Sequence, residues 1–237
     1  MAPRNEPLRT LPVTFAHRGA RAHARENTLD AFRMGLAMGA SGLESDAWLT
    51  GDGVVVLDHD GVVGGTLRRR SIASVRRSDL PGHIPSLAEL YEAVGTDFEL
   101  SLDVKDPSSV GAIVAVARSY DAEHRLWLCV TSLDEASDAR ALCPRSNLIV
   151  STRLRAFSDG PERYAAALTA RGADGVNLHA SEWTGGMAAL FHRFELYALG
   201  WDAQHVRILE ELLHAGIDGV FSDYPERMVE AITGVFG

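Results

Sequence analysis

Three stretches of the chain repeat one form. Gly39-Ala40-Ser41-Gly42-Leu43, Gly172-Ala173-Asp174-Gly175-Val176 and Gly216-Ile217-Asp218-Gly219-Val220 each follow a helical pattern and open an apolar run. The leading glycine suits the left-handed backbone position just past a helix C-terminus. The repeat also phases the strands against one another. Seven residues after the leading glycine stand Asp46, His179 and Asp223, so all three belong at strand ends. Eight runs read as strands, at 13–16, 42–48, 98–103, 126–131, 148–151, 175–178, 196–200 and 219–222. Helical patterns alternate with them at 29–38, 87–94, 110–120, 165–170, 206–214 and 226–232. Eight strands alternating with helices predict an α/β fold, a closed (β/α)8 TIM barrel. The alternative, an open doubly wound sheet, would normally carry a glycine-rich phosphate loop after its first strand, and this chain has none.

A chain of 237 residues suits one domain of this kind, spanning 1–237 with no linker or low-complexity tract. An apolar content of 46% is enough for a sizeable core. The net charge of −9 argues against nucleic acid or an anionic membrane as a non-specific partner. Against that background Arg68, Arg69, Arg70, Arg76 and Arg77 crowd into one short segment. They read either as a solvated face or as an attraction for anionic substrate at the mouth of a site. Cys129 and Cys143 fit no disulfide or metal framework, and Cys129 lies in an apolar run that predicts burial. The first residues lack the apolar core of a secretory signal, and no run approaches the ~18 apolar residues of a membrane helix. The cytoplasm is therefore the expected location.

In a barrel the chemistry belongs to the C-terminal strand ends. His17, Glu44, Asp46, Asp103, Lys105, Asn177, His179, Trp201 and Asp223 all fall near such ends. Glu44 and Asp46 are two apart in a strand, so they share a face and can reach one ion. A barrel strand would bury both, which is costly without a cation or basic partners to offset them. Arg18 and Lys105 could supply ion pairs without a metal. Asp103 and Lys105 repeat the same spacing. The apparent ligands are all oxygens, which favours Mg²⁺ or Ca²⁺ over zinc. His17 and His59 add an acid–base pair, and Arg18 a phosphate grip. That is an inventory for breaking a phosphodiester with a metal.

These residues resemble the glycerophosphodiester phosphodiesterase family. Its signature of His-Arg-Gly, Glu-Asn-Thr, Glu-x-Asp and His-Asp reads here as His17-Arg18-Gly19, Glu26-Asn27-Thr28, Glu44-Ser45-Asp46 and His59-Asp60. The stretch from Leu49 to Val56 is similar to the family's short hairpin before the second histidine. Looser matches continue through Ile84-Pro85-Ser86-Leu87, Leu102-Asp103-Val104-Lys105 and Asp218 to Pro225. The resemblance implies catalysis by His17 and His59. It implies metal binding by Glu44, Asp46 and Asp103, and substrate contacts from Arg18, Lys105 and Trp201. Glu26-Asn27-Thr28 is then a brace for the active-site loop. The expected reaction is hydrolysis of glycerophosphodiesters to glycerol 3-phosphate and an alcohol such as choline or ethanolamine.

Two departures stand out. Asp103 replaces the family's usual glutamate, and its side chain is one methylene shorter. The insertion between His59 and Pro85 is also short. It is expected to form a loop and at most one helix, leaving the site open on the leaving-group side. The rival readings are a lysophospholipase D or sphingomyelinase D-like enzyme, which would need an apolar groove, and a non-catalytic phosphate-binding barrel.

Overall fold

The computed structural model describes residues 5–65 and 69–237. Eight parallel strands form the barrel: β1 (Val13–Ala16), β2 (Gly42–Leu49), β6 (Glu99–Val104), β7 (Leu126–Val130), β8 (Asn147–Ser151), β9 (Gly175–His179), β10 (Tyr197–Trp201) and β11 (Gly219–Ser222). They are ordered β1-β11-β10-β9-β8-β7-β6-β2, and pairing of β1 with β2 closes the ring. The eight predicted runs all become these strands. The helices between them are α1 (Leu29–Ala37), α2 (Leu87–Val94), α3 (Val110–Ser119), α4 (Leu133–Arg140), α5 (Pro161–Ala170), α6 (Gly185–His192), α7 (Val206–Ala215) and α8 (Pro225–Phe236).

Local chemistry fixes the helix ends. Thr28 caps α1, and Ser86 with Glu89 makes a reciprocal capping box on α2. Gly39, Gly172 and Gly216 all have positive φ, of 92°, 73° and 89°. The helix-end role predicted for the repeated glycines is therefore observed. Helices α4 and α6 were not among the predicted patterns. Helix α4 buries only Ala136 and Ala139, and α6 opens on Gly185-Gly186, so neither shows a strong apolar stripe.

Side chains alternate across each barrel strand. Leu43, Leu100, Leu102, Leu128, Val150, Val176 and Leu178 belong to the large core that includes Phe32, Leu90, Ile113 and Leu209 of the helices. The opposite set, Val13, Phe15, Trp127, Cys129, Ile149, Leu199 and Phe221, forms a separate apolar cluster inside the ring. Phe15 stacks on Phe221 at 4.7 Å and meets Trp127 edge-on at 5.7 Å. Glycine makes room for these large groups. A Cβ on Gly175 would lie 2.6 Å from the Tyr197 carbonyl oxygen and 2.9 Å from Ile149 Cδ1. One on Gly219 would lie 2.8 Å from Leu199 Cδ2. The second glycine of the sequence repeat is thus a packing requirement of the barrel interior.

Strand β2 runs on past the barrel and pairs antiparallel with β3 (Val55–Leu57), the expected hairpin. The short insertion follows. It is not a loop with a helix. It contains a two-stranded sheet of β4 (Val62–Val63) and β5 (Arg70–Ser71), then two single 3₁₀ turns. Val63, Ile72, Val75, Leu80 and Ile84 join Val56 and Trp48 in a small core of their own. The apolar residues are spaced irregularly along the segment, so no single period marks this packing. Arg68 lies outside the described residues. Arg69, Arg70 and Arg76 are exposed, whereas Arg77 donates two hydrogen bonds to Glu89 at 3.0 and 2.7 Å. Cys129 is buried, as its apolar run predicts, Cys143 is buried as well, and both are free. No helix of the described residues is long and apolar enough to cross a membrane.

Overpacking the barrel interior should be felt at once. Gly175→Ala is expected to lower unfolding free energy by about 1–3 kcal/mol, seen as a reduced urea midpoint. Gly111→Ala, on the exposed face of α3 with open space around it, should be neutral or stabilising by up to about 1 kcal/mol. Equal midpoints for the two variants would contradict the packing described here.

Candidate active site

Strand alternation turns Glu44 and Asp46 of β2 and Asp103 of β6 toward one point at the mouth of the barrel. Ligand atoms from the three carboxylates lie within 4.8 Å of one another. The in-register pair Asp46 and Asp103 brings the two strands' acids side by side. Glu44 is 4% exposed and Asp46 1%. Asp103 opens onto the cavity, with 37% of its side chain exposed.

Basic and amide groups offset part of this charge. Lys105 Nζ reaches Asp46 Oδ1 at 2.9 Å and Asp103 Oδ2 at 3.1 Å. Arg18 Nε lies 3.3 Å from Asp46 Oδ2, and Asn27 Nδ2 donates to that same oxygen at 3.2 Å. The Arg18 backbone N–H donates to Glu44 Oε2 at 2.9 Å. Arg18 and Asn27 adopt the left-handed backbone region, with φ of 50° and 53°. Strain of this kind in a non-glycine residue persists only where surrounding bonds hold it.

The expected brace is present. Glu26 pairs with Arg18 at 3.1 Å and with Arg21 at 2.6 Å. Asn27 Oδ1 accepts from Ser45 Oγ at 2.7 Å, and Thr28 caps α1.

His17 follows β1 and stands over the carboxylates. Its Nδ1 donates to Asp223 Oδ1 at 2.6 Å, and its Nε2 lies 3.8 Å from Glu44 Oε2. Asp223 is itself held in place. Its backbone N–H donates to Gln204 Oε1 at 2.9 Å, and Arg21 Nη1 lies 3.5 Å from its Oδ2.

The charges are strongly coupled to burial. Burial is the largest influence on Glu44 and raises it. His17 pulls it down, but Asp46 and Asp103 add to the rise, and the carboxyl is pushed up to about 8. Burial also raises Asp103, against the pull of Lys105 and with the push of Asp46. Burial would lower Lys105, but Asp103 and Asp46 outweigh it and hold the ammonium charged. Burial would likewise lower His17, yet Glu44 and the Asp223 hydrogen bond leave it raised. Three crowded carboxylates, two of them pushed toward their neutral forms, offer oxygen donors only. That set fits a hard divalent cation and can hold one.

A cavity of about 440 Å³ opens beside these groups. His17, Glu44, Asp103 and Trp201 line it, and Arg21, Ser151, Asn177, Asp202, Gln204, Phe221 and Asp223 complete its wall. His59 does not line it. That imidazole is 42% exposed, pairs with Asp60 at 2.9 Å, and faces a smaller cavity of about 140 Å³ shared with Arg25, Glu26, Asn27, Asp58 and His83. Trp201 meets His179 edge-on at 4.7 Å and lies under the Arg153 guanidinium at 5.2 Å. Asp223 was placed at a strand end by the glycine repeat but given no role. Arg21, Ser151 and Gln204 carried no spacing that could have flagged them.

The sequence profile of the glycerophosphoryl diester phosphodiesterase family matches residues 17–227. A glycerophosphodiester phosphodiesterase of Bacillus altitudinis is 25% identical over 240 residues, covering 91% of this chain and 96% of the relative. Among solved structures, the glycerophosphodiester phosphodiesterase of Thermotoga maritima superposes with a TM-score of 0.80 at 22% identity, covering 94% of this chain and 99% of that one. An Oleispira antarctica phosphodiesterase in complex with its product sn-glycerol-3-phosphate has a TM-score of 0.80 at 23% identity, covering 94% and 97%. At these identities the structural likeness establishes the shared barrel.

The His17–Asp223 contact has a measurable signature. Removing a carboxylate that raises an imidazole must lower it, so Asp223→Asn should shift the His17 titration to lower pH. Imidazole nitrogen NMR on chelated protein reads this directly. An unchanged titration in the variant would mean that Asp223 does not hold the ring.

Proposed function

The chain belongs to the glycerophosphoryl diester phosphodiesterase family and is a hydrolase of that class, and from this premise we propose how its own residues divide the work. The substrate is a glycerophosphodiester, cleaved to glycerol 3-phosphate and a small alcohol. The convergence of Glu44, Asp46 and Asp103 within 4.8 Å beside His17 is the observation that carries this reading. The glycerol 3-phosphate held by the Oleispira relative supports the same product here. The profile match over 17–227 supports one catalytic domain.

Glu44, Asp46 and Asp103 would hold Mg²⁺ or Ca²⁺, the hard cations that suit an all-oxygen site. When bound, such an ion supplies Lewis-acid polarisation of a phosphoryl oxygen and a template for the diester. Arg18 and Lys105 stabilise the charge that grows on the phosphoryl oxygens. Asp223 accepts from His17 Nδ1, so Nε2 is the atom turned toward Glu44, and it holds or moves the proton. Asp60 orients His59 in the same way from its own Nδ1. His59 faces the smaller cavity, so a diester served by both histidines has to reach from one cavity to the other. Trp201 packs against the substrate from the far wall.

Most of the residues lining the cavity are polar or charged, and Trp201 and Phe221 are its large apolar members. That disfavours a long acyl chain, hence the lysophospholipase D reading. Purified protein incubated with glycerophosphocholine and lysophosphatidylcholine should release choline mainly from the first. Release from the second alone would overturn the proposed substrate class.

Chelation should abolish turnover, and Mg²⁺ or Ca²⁺ should restore it. Glu44→Gln and Asp46→Asn should weaken cation affinity markedly, and Asp103→Asn less, because Asp103 is the more exposed group. Full turnover in extensively chelated protein would rule out the cation. His17→Ala and His59→Ala should each lower turnover by at least ~10² while leaving the fold intact. Near-normal turnover in either folded variant would remove that residue from the mechanism.

A further inference from the structure

Asn177 has no part in the scheme above, yet it is placed as if for a ligand. It is 5% exposed and lines the main cavity from β9. Its Oδ1 is buried without a hydrogen-bond partner among the described residues. Its Nδ2 donates only to Ser151 Oγ, at the long distance of 3.5 Å. A buried amide left this short of partners costs free energy, and polar groups in protein interiors are nearly always satisfied. The amide therefore has unused hydrogen-bonding capacity at the cavity wall. Ser151 is its registered neighbour on β8 and lines the same wall. A hydroxyl can donate or accept, so the pair can turn either sense of hydrogen bond toward a ligand.

Ring topology fixes where this pair stands. Strand β9 is four strands from β2 in either direction around the barrel, and β8 is four from β1. Asn177 thus faces Glu44 and Asp46 across the opening, and Ser151 faces the strand that leads to His17. One wall is charged and built for a phosphate. The opposite wall presents an uncharged amide and a hydroxyl. Neutral donor–acceptor groups of this kind match alcohol hydroxyls, which the glycerol half of a choline or ethanolamine diester carries and the other half lacks. The cavity of about 440 Å³ has room for that half between the two walls.

We infer that Asn177, with Ser151, is a specificity-determining element that binds the free hydroxyls of the glycerol half of the substrate. The assignment rests on the phosphodiesterase reading above and sharpens it. A site that hydrogen-bonds a substrate hydroxyl rejects the analogue lacking it, because its own polar groups are then left unpaired.

Titration calorimetry with glycerol 3-phosphate and propyl phosphate, in the presence of Mg²⁺, tests this. The two ligands share the phosphate and differ by the two hydroxyls of glycerol. The ratio of their dissociation constants is read for the wild type, for Asn177→Leu and for Ser151→Ala, and melting curves confirm that each protein is folded. The wild type should favour glycerol 3-phosphate by at least about tenfold. Asn177→Leu should reduce that ratio at least about tenfold, and Ser151→Ala at least about threefold. A wild-type ratio near one, or an unchanged ratio in both folded variants, would overturn the assignment. Turnover of glycerophosphocholine on the same preparations separates the two levels. Turnover with an unchanged ratio rejects only the role of Asn177 and Ser151, whereas no turnover and no binding of either ligand rejects the phosphodiesterase reading as well.

Discussion

Buried negative charge on β2 and β6 is the constraint from which the rest of the site follows. Glu44 and Asp46 sit in a strand covered on both sides, with Asp103 beside them. Charges in such a place must be paired or neutralised. Lys105 reaches back over Asp46 and Asp103, Arg18 is held in a left-handed backbone to approach Asp46, and Asn27 spends its amide on Asp46 and Ser45. Even so Glu44 is pushed up to about 8, so the protein groups alone leave the site short of positive charge. The proposed cation, and the phosphate that follows it, answer that shortfall.

The apolar floor beneath gives this cluster a firm base. Phe15, Trp127, Leu199 and Phe221 fill the ring, and Gly175 and Gly219 let them pack. A rigid floor matters because catalytic placement tolerates little error. The His59 loop is tied to the same strand. The Asp58 N–H donates to the Asp46 carbonyl oxygen at 3.0 Å, and the Gly61 N–H donates to Asp58 Oδ2 at 2.9 Å. Gly61 also lies flat against Trp48, where a Cβ would come within 2.3 Å of the ring. The described part of the short insertion therefore acts as a packed support for the loop, and none of its described residues lines the main cavity.

Much of this was legible in the residues. Continuous apolar runs and the glycine repeat gave all eight barrel strands, because strand burial and helix-end glycines are local signals. The i, i+2 spacing brought Glu44 to Asp46 and Asp103 to Lys105, because alternation is a property of any strand. What stayed hidden depends on distant contacts. Helices α4 and α6 bury small faces. Arg77 turns to Glu89, a partner that its crowded neighbourhood did not announce. The direction of His59 is set by a loop that packs on Trp48. The orphaned Asn177 amide emerges only when β8 and β9 are seen across from β1 and β2.

Anomalous diffraction from crystals soaked in Mn²⁺, a hard-cation stand-in for Mg²⁺, tests the central claim most directly. One strong peak should appear among Glu44, Asp46 and Asp103, with oxygen ligands and with Lys105 displaced from at least one of its two carboxylates. Saturating Mn²⁺ with no peak there, and Lys105 still bridging Asp46 and Asp103, would show that ion pairing alone compensates the buried charge.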